Sequence, residues 1–570
     1  MKLSILASVS AVALLAAGAA SAQSNTSNVT QAGNGQNADV TQRGANGVSA
    51  VLQDGSNSNY AIVAQYTGSS RADSYVSQNG QYSIARVDQE GAGAESDVTQ
   101  TGSSHRVDVD QNGDSFSSIT QQNFNNDANV KQTGDANQSY ISQTGDRGNI
   151  GLHPNSVSGL VQNGTANVSN ITQSGSEQDA AVSQLGNANT SVIDQSGNLA
   201  SSTVLQNGDR NDSFVSQFAE GASATVAQNS DDNRSNIVQN ADATASVTQG
   251  GGFNSFGTID GRENNVSNIF QEAGSAGAAA TVSQNGVLNS SLIYQGADSD
   301  ATVSQTGTFN TSEIDQDADT SASVTQGGAY GDNRSYVLQG VGSDGSQAIV
   351  NQSSDSRQAA APSNDSVIRQ SAENAFAGVN QTGDDNLSNV IQSGAFSTAG
   401  VLQNGTGNVS NVDQAGVVTS AALRNAAMVE QIGSNLNSDI DQVGEYGDAI
   451  VDQIGSGNRS VVYQAASGNT AEIEQSGSDN RSLLSQTGNN NNFFFGTGGI
   501  SQSGTGNESD AFQTGDNGIL NVTQSGSNND SLVNQGGNLN TATVVQTSDF
   551  NVSTITQGGS NNVASVRQGN

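Results

Sequence analysis

The sequence predicts an all-β fold, a β-solenoid of about 23 strand–turn–strand coils stacked in the manner of cross-β. Three observations predict it. Gln recurs on a fixed frame: 46 in-frame Gln from Gln31 to Gln568 leave 45 intervals, of which 31 are 11 residues long. Two residues before these Gln, 45 of 46 positions are Val, Ile or Leu, and two residues after them 32 of 46 are Gly. Four residues before, Ser and Ala alternate for long stretches, as in Ser27, Ala38, Ser49, Ala61, Ser74 and Ala85.

Each element of the unit follows from its chemistry. Positions −6, −4, −2 and 0 share one parity, and a spacing of two is the periodicity of a strand. Of the 46 apolar positions 43 are β-branched, which suits a pleated, half-buried surface. No 3.6-residue stripe exists, so helix is excluded. The Gly-containing segments between strands are turns, where Gly takes positive φ freely. Two such strands and two turns make a 22-residue coil, N-x-S-x-[VI]-x-Q-x-G followed by A-x-[VI]-x-Q-x-G. One coil buries nothing alone, so stacking must supply the fold. Stacked at ~4.8 Å, 23 coils make a rod on the order of 110 Å long.

The same side chains then meet themselves in every coil. The predicted amide ladder for self-assembly comprises Gln31, Gln42, Gln53, Gln162, Gln173, Gln184, Gln195, Gln206, Gln392, Gln403, Gln442, Gln453, Gln524, Gln535, Gln546, Gln557 and Gln568. Beside it runs a predicted stacking core of Val29, Val40, Val51, Ile171, Val182, Ile193, Val544, Ile555 and Val566. Apolar burial in so thin a stripe falls short of the entropy of ordering the strands. Backbone ladders and amide–amide bonds must contribute the remainder.

Composition removes other classes. Lys and Arg number 17 against 53 Asp and Glu, a net charge of −36, so a phosphate-binding surface is not expected and nucleic acid is no partner. The absence of Cys removes disulfides and thiol chemistry. His105 and His153 are the two histidines, too few for a catalytic triad or multi-His metal site, and each reads as a lone surface or pore residue. Asp108-Val109-Asp110-Gln111-Asn112-Gly113 opens like a calcium loop, yet the twelfth position holds Ile119 where that loop needs a bidentate Glu. No catalytic site, metal site or cofactor is expected.

Residues 1–22 differ from the rest. Lys2, an apolar stretch from Leu3 to Ala19 and the small residues Ala20-Ser21-Ala22 make a secretory signal peptide. The repeat array occupies 23–570, with no membrane span expected after cleavage. Breaks in the frame predict irregular loops near 144–156, 250–264, 353–363, 415–426 and 487–498. Pro154 and Pro362 fall in these, as Pro is barred from central strands. The 249–271 interval is a double step that admits a second reading, a degenerate strand with Asp260 in the Gln slot. Phe493-Phe494-Phe495 reads as a loop segment folded over the rod or as an adhesive patch.

The unit resembles the curlin repeat of curli-type functional amyloids. Gln162-Asn163-Gly164-Thr165-Ala166-Asn167-Val168-Ser169 running to Gln173 carries the resemblance, and it recurs over nearly all of 23–570. The x-[AS]-x-[VI]-x-Q form is closer to the minor, nucleator-type subunit than to the major one. The resemblance implies an extracellular fibre subunit of a Gram-negative biofilm matrix. Such a subunit passes through the periplasm and an outer-membrane secretion channel, and its partners are copies of itself and other curlin-type subunits. The repeats here are far more numerous than in the usual short subunits, and the array begins almost at once after Ala22. The alternative is a monomeric solenoid adhesin whose loops carry the contacts. The first and last strands lie close to the chain ends with both edges bare, which favours the fibre.

Overall fold

A computed structural model describes residues 24–150, 159–251, 264–328, 331–354, 364–416, 424–492 and 499–569. These residues form 47 β-strands and no helix. Residues 1–22, expected to be a signal peptide, lie outside the described residues, as do Pro154, Pro362, His153, Asp260 and Phe493–Phe495.

The chain alternates between two parallel sheets. β1 (Thr26–Asn34) belongs to the first, β2 (Asn37–Gln42) to the second, and β3 (Val48–Asn57) returns to pair with β1. Ser27 then lies opposite Ser49, Val29 opposite Val51 and Gln31 opposite Gln53. The same in-register pairing repeats to β46 (Val552–Gln557) and β47 (Val563–Gln568). In the second sheet, β12 (Asn149–Ile150) and β13 (Leu160–Asn163) are two pieces of one rung, since both lie between β10 (Asp127–Thr133) and β15 (Asp179–Leu185). Asn149 and Ile150, expected in a loop, are therefore strand.

Parity decides burial. Along β5 (Asp73–Gln81) Ser74, Val76 and Gln78 are buried while Asp73 and Tyr75 face solvent. One core of Val, Ile and Ala runs the length of the rod between the sheets. All 23 rungs of the first sheet carry Ser four residues before Gln, and the second sheet carries mostly Ala there. We call them the serine sheet and the alanine sheet. Small residues at this slot let the facing strands approach closely.

The irregular intervals leave the stack intact. Gln239 bonds to Gln271 and Gln228 to Gln249 as direct neighbours, and Gln249 and Gln271 stand in opposite sheets.

Candidate functional site

The site is the pair of Gln ladders inside the rod. Each Gln donates from Nε2 to Oε1 of the Gln one rung later. The distances are 2.7 Å from Gln31 to Gln53, 2.9 Å from Gln42 to Gln65 and 2.8 Å from Gln53 to Gln78. Gln162 reaches Gln184, and Gln184 reaches Gln206, at 2.8 Å each. Gln173 donates to Gln195 at 2.9 Å and Gln195 to Gln217 at 2.8 Å. Further along, Gln392, Gln403, Gln442 and Gln453 donate to Gln414, Gln431, Gln464 and Gln475. Gln524, Gln535 and Gln546 donate to Gln546, Gln557 and Gln568. The second Nε2 hydrogen goes to a main-chain carbonyl, such as Thr190 O, 2.8 Å from Gln206. A buried amide left without partners would cost about 1–3 kcal/mol, so this double use is what permits a Gln in every rung.

Asn six residues before Gln forms further ladders, and these run the opposite way. Asn189 Nδ2 donates back to Asn167 Oδ1 at 3.1 Å, and also reaches Gly208 O at 2.7 Å. Asn233 repeats this toward Asn211, and Asn265 toward Asn233. The Gln and Asn amide dipoles thus oppose each other along the rod and partly cancel. His105 occupies one of these slots. It is buried, not on the surface: Nε2 lies 3.1 Å from Thr101 O, Nδ1 accepts from Asn126 N at 3.3 Å, and burial lowers its pKa.

The predicted core residues are mostly enclosed. Val51, Ile171, Val182, Ile193, Val544 and Ile555 are buried, whereas Val40 and Val566 are partly covered and pack on the same core. Val29 is the exception at 37% exposure, because β1 has a neighbouring rung on one side only. Gln31 is exposed for the same reason.

The turns contain what the sequence pattern concealed. The fourth residue after Gln takes left-handed φ even when it is not Gly: Ala166 at 59°, Ala188 at 56°, Leu199 at 57°. Each is held by its own N–H bonding to the turn one rung back, as Ala188 N to Thr165 O at 2.9 Å. Stacking over-determines the strained residue, which alone would cost of order 1–3 kcal/mol.

Asp108 and Asp110 point outward, and Asp110 lies 3.5 Å from Lys131 Nζ. Val109 and Gln111 beside them are buried in their repeat roles. Among the described residues no group of three His, Asp or Glu could hold a metal ion.

The family model described as Curlin associated repeat matches residues 125–152, 448–477 and 469–494. No curated protein matches the chain. The matched stretches contain the in-register rungs just described, and the same unit recurs between and beyond them. The chain thus carries three matches to the curlin associated repeat, over 75 of its 570 residues.

Proposed function

We propose that the chain is a secreted structural subunit that self-assembles into curli-like extracellular amyloid fibres, serving a biofilm matrix and surface adhesion. Its chemistry is stacking, not catalysis. The observation that carries this reading is the single direction of the Gln ladders. Among the described residues, Gln31 Oε1 and Gln42 Oε1 accept no ladder amide. At the other end, Gln557 and Gln568 direct Nε2 to the main-chain carbonyls of Thr541, Asn562 and Val552. Donors at one end and acceptors at the other suit a second copy added in the same orientation. Such a head-to-tail contact does not close on itself and generates a filament. The outer strand edges are templates of the same kind.

The partners are further copies of this chain, with other curlin-type subunits and an outer-membrane secretion channel of a Gram-negative cell as companions on the route through the periplasm. The test is assembly of the purified chain, followed by dye fluorescence, negative-stain microscopy and fibre diffraction. Fibres with reflections near 4.8 and 10 Å are expected. A stable, dye-negative monomer at micromolar concentration would overturn the proposal and favour the solenoid adhesin.

A further inference from the structure

The two outer faces of the rod differ chemically in its middle third. On the alanine sheet the strands concerned are β17 (Ser201–Asn207), β19 (Ser223–Gln228), β21 (Thr244–Gly250), β23 (Ala279–Val287), β25 (Asp300–Thr308) and β27 (Ser321–Gly327). Register places Thr203, Thr225, Ser246, Thr281, Thr302 and Ser323 in one outward column. A parallel column flanks it on each side, two residues away along the strands. Of these 18 outward positions 14 are Ser or Thr, the others being Leu205, Ala227, Ala279 and Asp300. Thr225, Thr281 and Thr302 are exposed and the other three of the column half-buried.

Thr is a good strand former, so a hydroxyl-rich face could be mere strand propensity. The opposite face of the same coils argues against that. There only Ser216, Ser290 and Thr311 of the 18 outward positions are Ser or Thr, among residues such as Phe214, Phe270, Tyr294, Tyr336, Glu313 and Arg334. Propensity and solvent are the same on both faces, but the side chains are not.

We propose that this hydroxyl face binds ice. Its columns repeat every ~4.8 Å along the rod and every ~6.7 Å across it. An O–H···O distance of ~2.75 Å with tetrahedral coordination puts second-neighbour oxygens of ice about 4.5 Å apart, and its layer repeat at about 7.3 Å. The two nets are close in both directions over six rungs. None of the 14 hydroxyls makes a hydrogen bond within the described residues, so all are free to hold ordered water. Charge agrees as well. Ice is an uncharged lattice that excludes ions, and this face carries one carboxylate, Asp300, in a chain of net charge −36. No aromatic ring stands on it, which disfavours a polysaccharide sheet, whose sugar faces rest on aromatic planes. The inference does not depend on fibre formation.

The test uses the fluorescently labelled full chain on a single-crystal ice hemisphere, with ice recrystallisation as a second readout. Binding to ice and slowed recrystallisation are expected. Ser246→Lys with Thr281→Lys should lower the ice-bound fraction roughly tenfold, equivalent to about 1.4 kcal/mol. Asn268→Lys with Leu292→Lys, on adjacent rungs of the opposite face, should leave it unchanged. Circular dichroism establishes that each variant folds; Thr281→Tyr, a strand former too bulky for the lattice, replaces the lysine pair if that pair does not. Exclusion of the unmodified chain from growing ice, or equal loss in both double variants, would overturn the proposal. So would retention on crystalline cellulose without ice binding, which would reassign the face to a polysaccharide.

Discussion

Gln249 donates to Gln284 at 2.9 Å although 35 residues separate them, and Gln206 donates to Gln228 at the same distance across 22. Ladder geometry is therefore independent of the length of chain between rungs. The stack, not the length of the spacer, sets the contact.

Interrupting a ladder at its middle should cost both neighbours a partner. Gln228 accepts from Gln206 at 2.9 Å and donates to Gln249 and Asp212 O at 3.0 Å each. Gln228→Leu should destabilise the fold by about 1–3 kcal/mol, the cost of unsatisfied buried amides. Gln228→Glu should cost more at neutral pH, about 3–5 kcal/mol, as a buried charge facing two acceptors. Burial raises the folded pKa of that carboxyl, so the folded state holds the proton longer than the unfolded. The penalty of Gln228→Glu then shrinks as pH falls. Urea unfolding of the three proteins at pH 4 and pH 7 checks both statements.

The buried hydroxyls of the serine sheet offer the opposite sign. Ser213 is buried and its Oγ has no hydrogen-bond partner in the structure. Ala fills the equivalent slot across the core, so Ser213→Ala should stabilise the protein by about 1 kcal/mol. Ser202, in the alanine sheet, donates to Gln217 Oε1 at 2.8 Å. Ser202→Ala should destabilise by about 1 kcal/mol. A shift of both denaturation midpoints in the same direction would contradict this account.

Two glycines separate tight turns from open faces. At Gly433 φ is 142°, and a β-carbon there would overlap the carbonyl oxygen of Gly455 on the next rung. Gly433→Ala should cost about 2 kcal/mol or more. Gly400 lies in a strand on the outer face with no atom within 4 Å of such a carbon. Gly400→Ala should stabilise by roughly 0.5–1 kcal/mol. Thermal melts of the two variants should move in opposite directions.

How much of this was legible in the sequence depends on which interaction repeats. Ser27, Val29 and Gln31 recur at fixed spacing, so their shared inward face could be read directly. Asn167 and Asn189 showed the same recurrence, but the direction of their bonds could not be read, because donor and acceptor sit on one amide. Leu199 gave no sign of left-handed φ, since its conformation is imposed by the rung behind it and not by its own preference. His105 lacked the residue type of its slot, and only the stack shows that it is buried there. The hydroxyl face was hidden because Ser and Thr are common throughout, and only register separates the two faces.

Acid should accelerate assembly. Every carboxylate with a resolved shift moves upward, and burial is the leading cause, with neighbouring carboxylates second where the stack aligns them. Asp413 lies opposite Asp441; burial and then Asp439 raise Asp413, while burial, then Asp413 and Asp439, raise Asp441. Asp452 stands between Glu430 and Glu474 on adjoining rungs and is raised by burial and then by both. Asp127 is pushed up to about 6, first by burial and then by Asp108, with Arg106 pulling it partly back. A carboxyl raised in the stack stays protonated there after its unfolded counterpart has ionised. Stability from this source is therefore full below the ordinary carboxylate range and falls as pH rises, for Asp127 between about 4 and about 6. A net charge of −36 over 23 rungs is roughly −1.5 for each, repeated at ~4.8 Å, inside the ~8 Å screening length of physiological salt. Docking of a like-charged rung is thereby slowed, as gatekeeper charges slow aggregation. The lag of dye-monitored assembly should shorten from pH 8 to pH 4 and on adding salt. Asp127→Asn should flatten the fall in stability between about pH 4 and pH 6, while leaving the salt dependence in place. A lag that lengthens in acid would mean that pairing of these carboxylates with Arg outweighs their burial and repulsion.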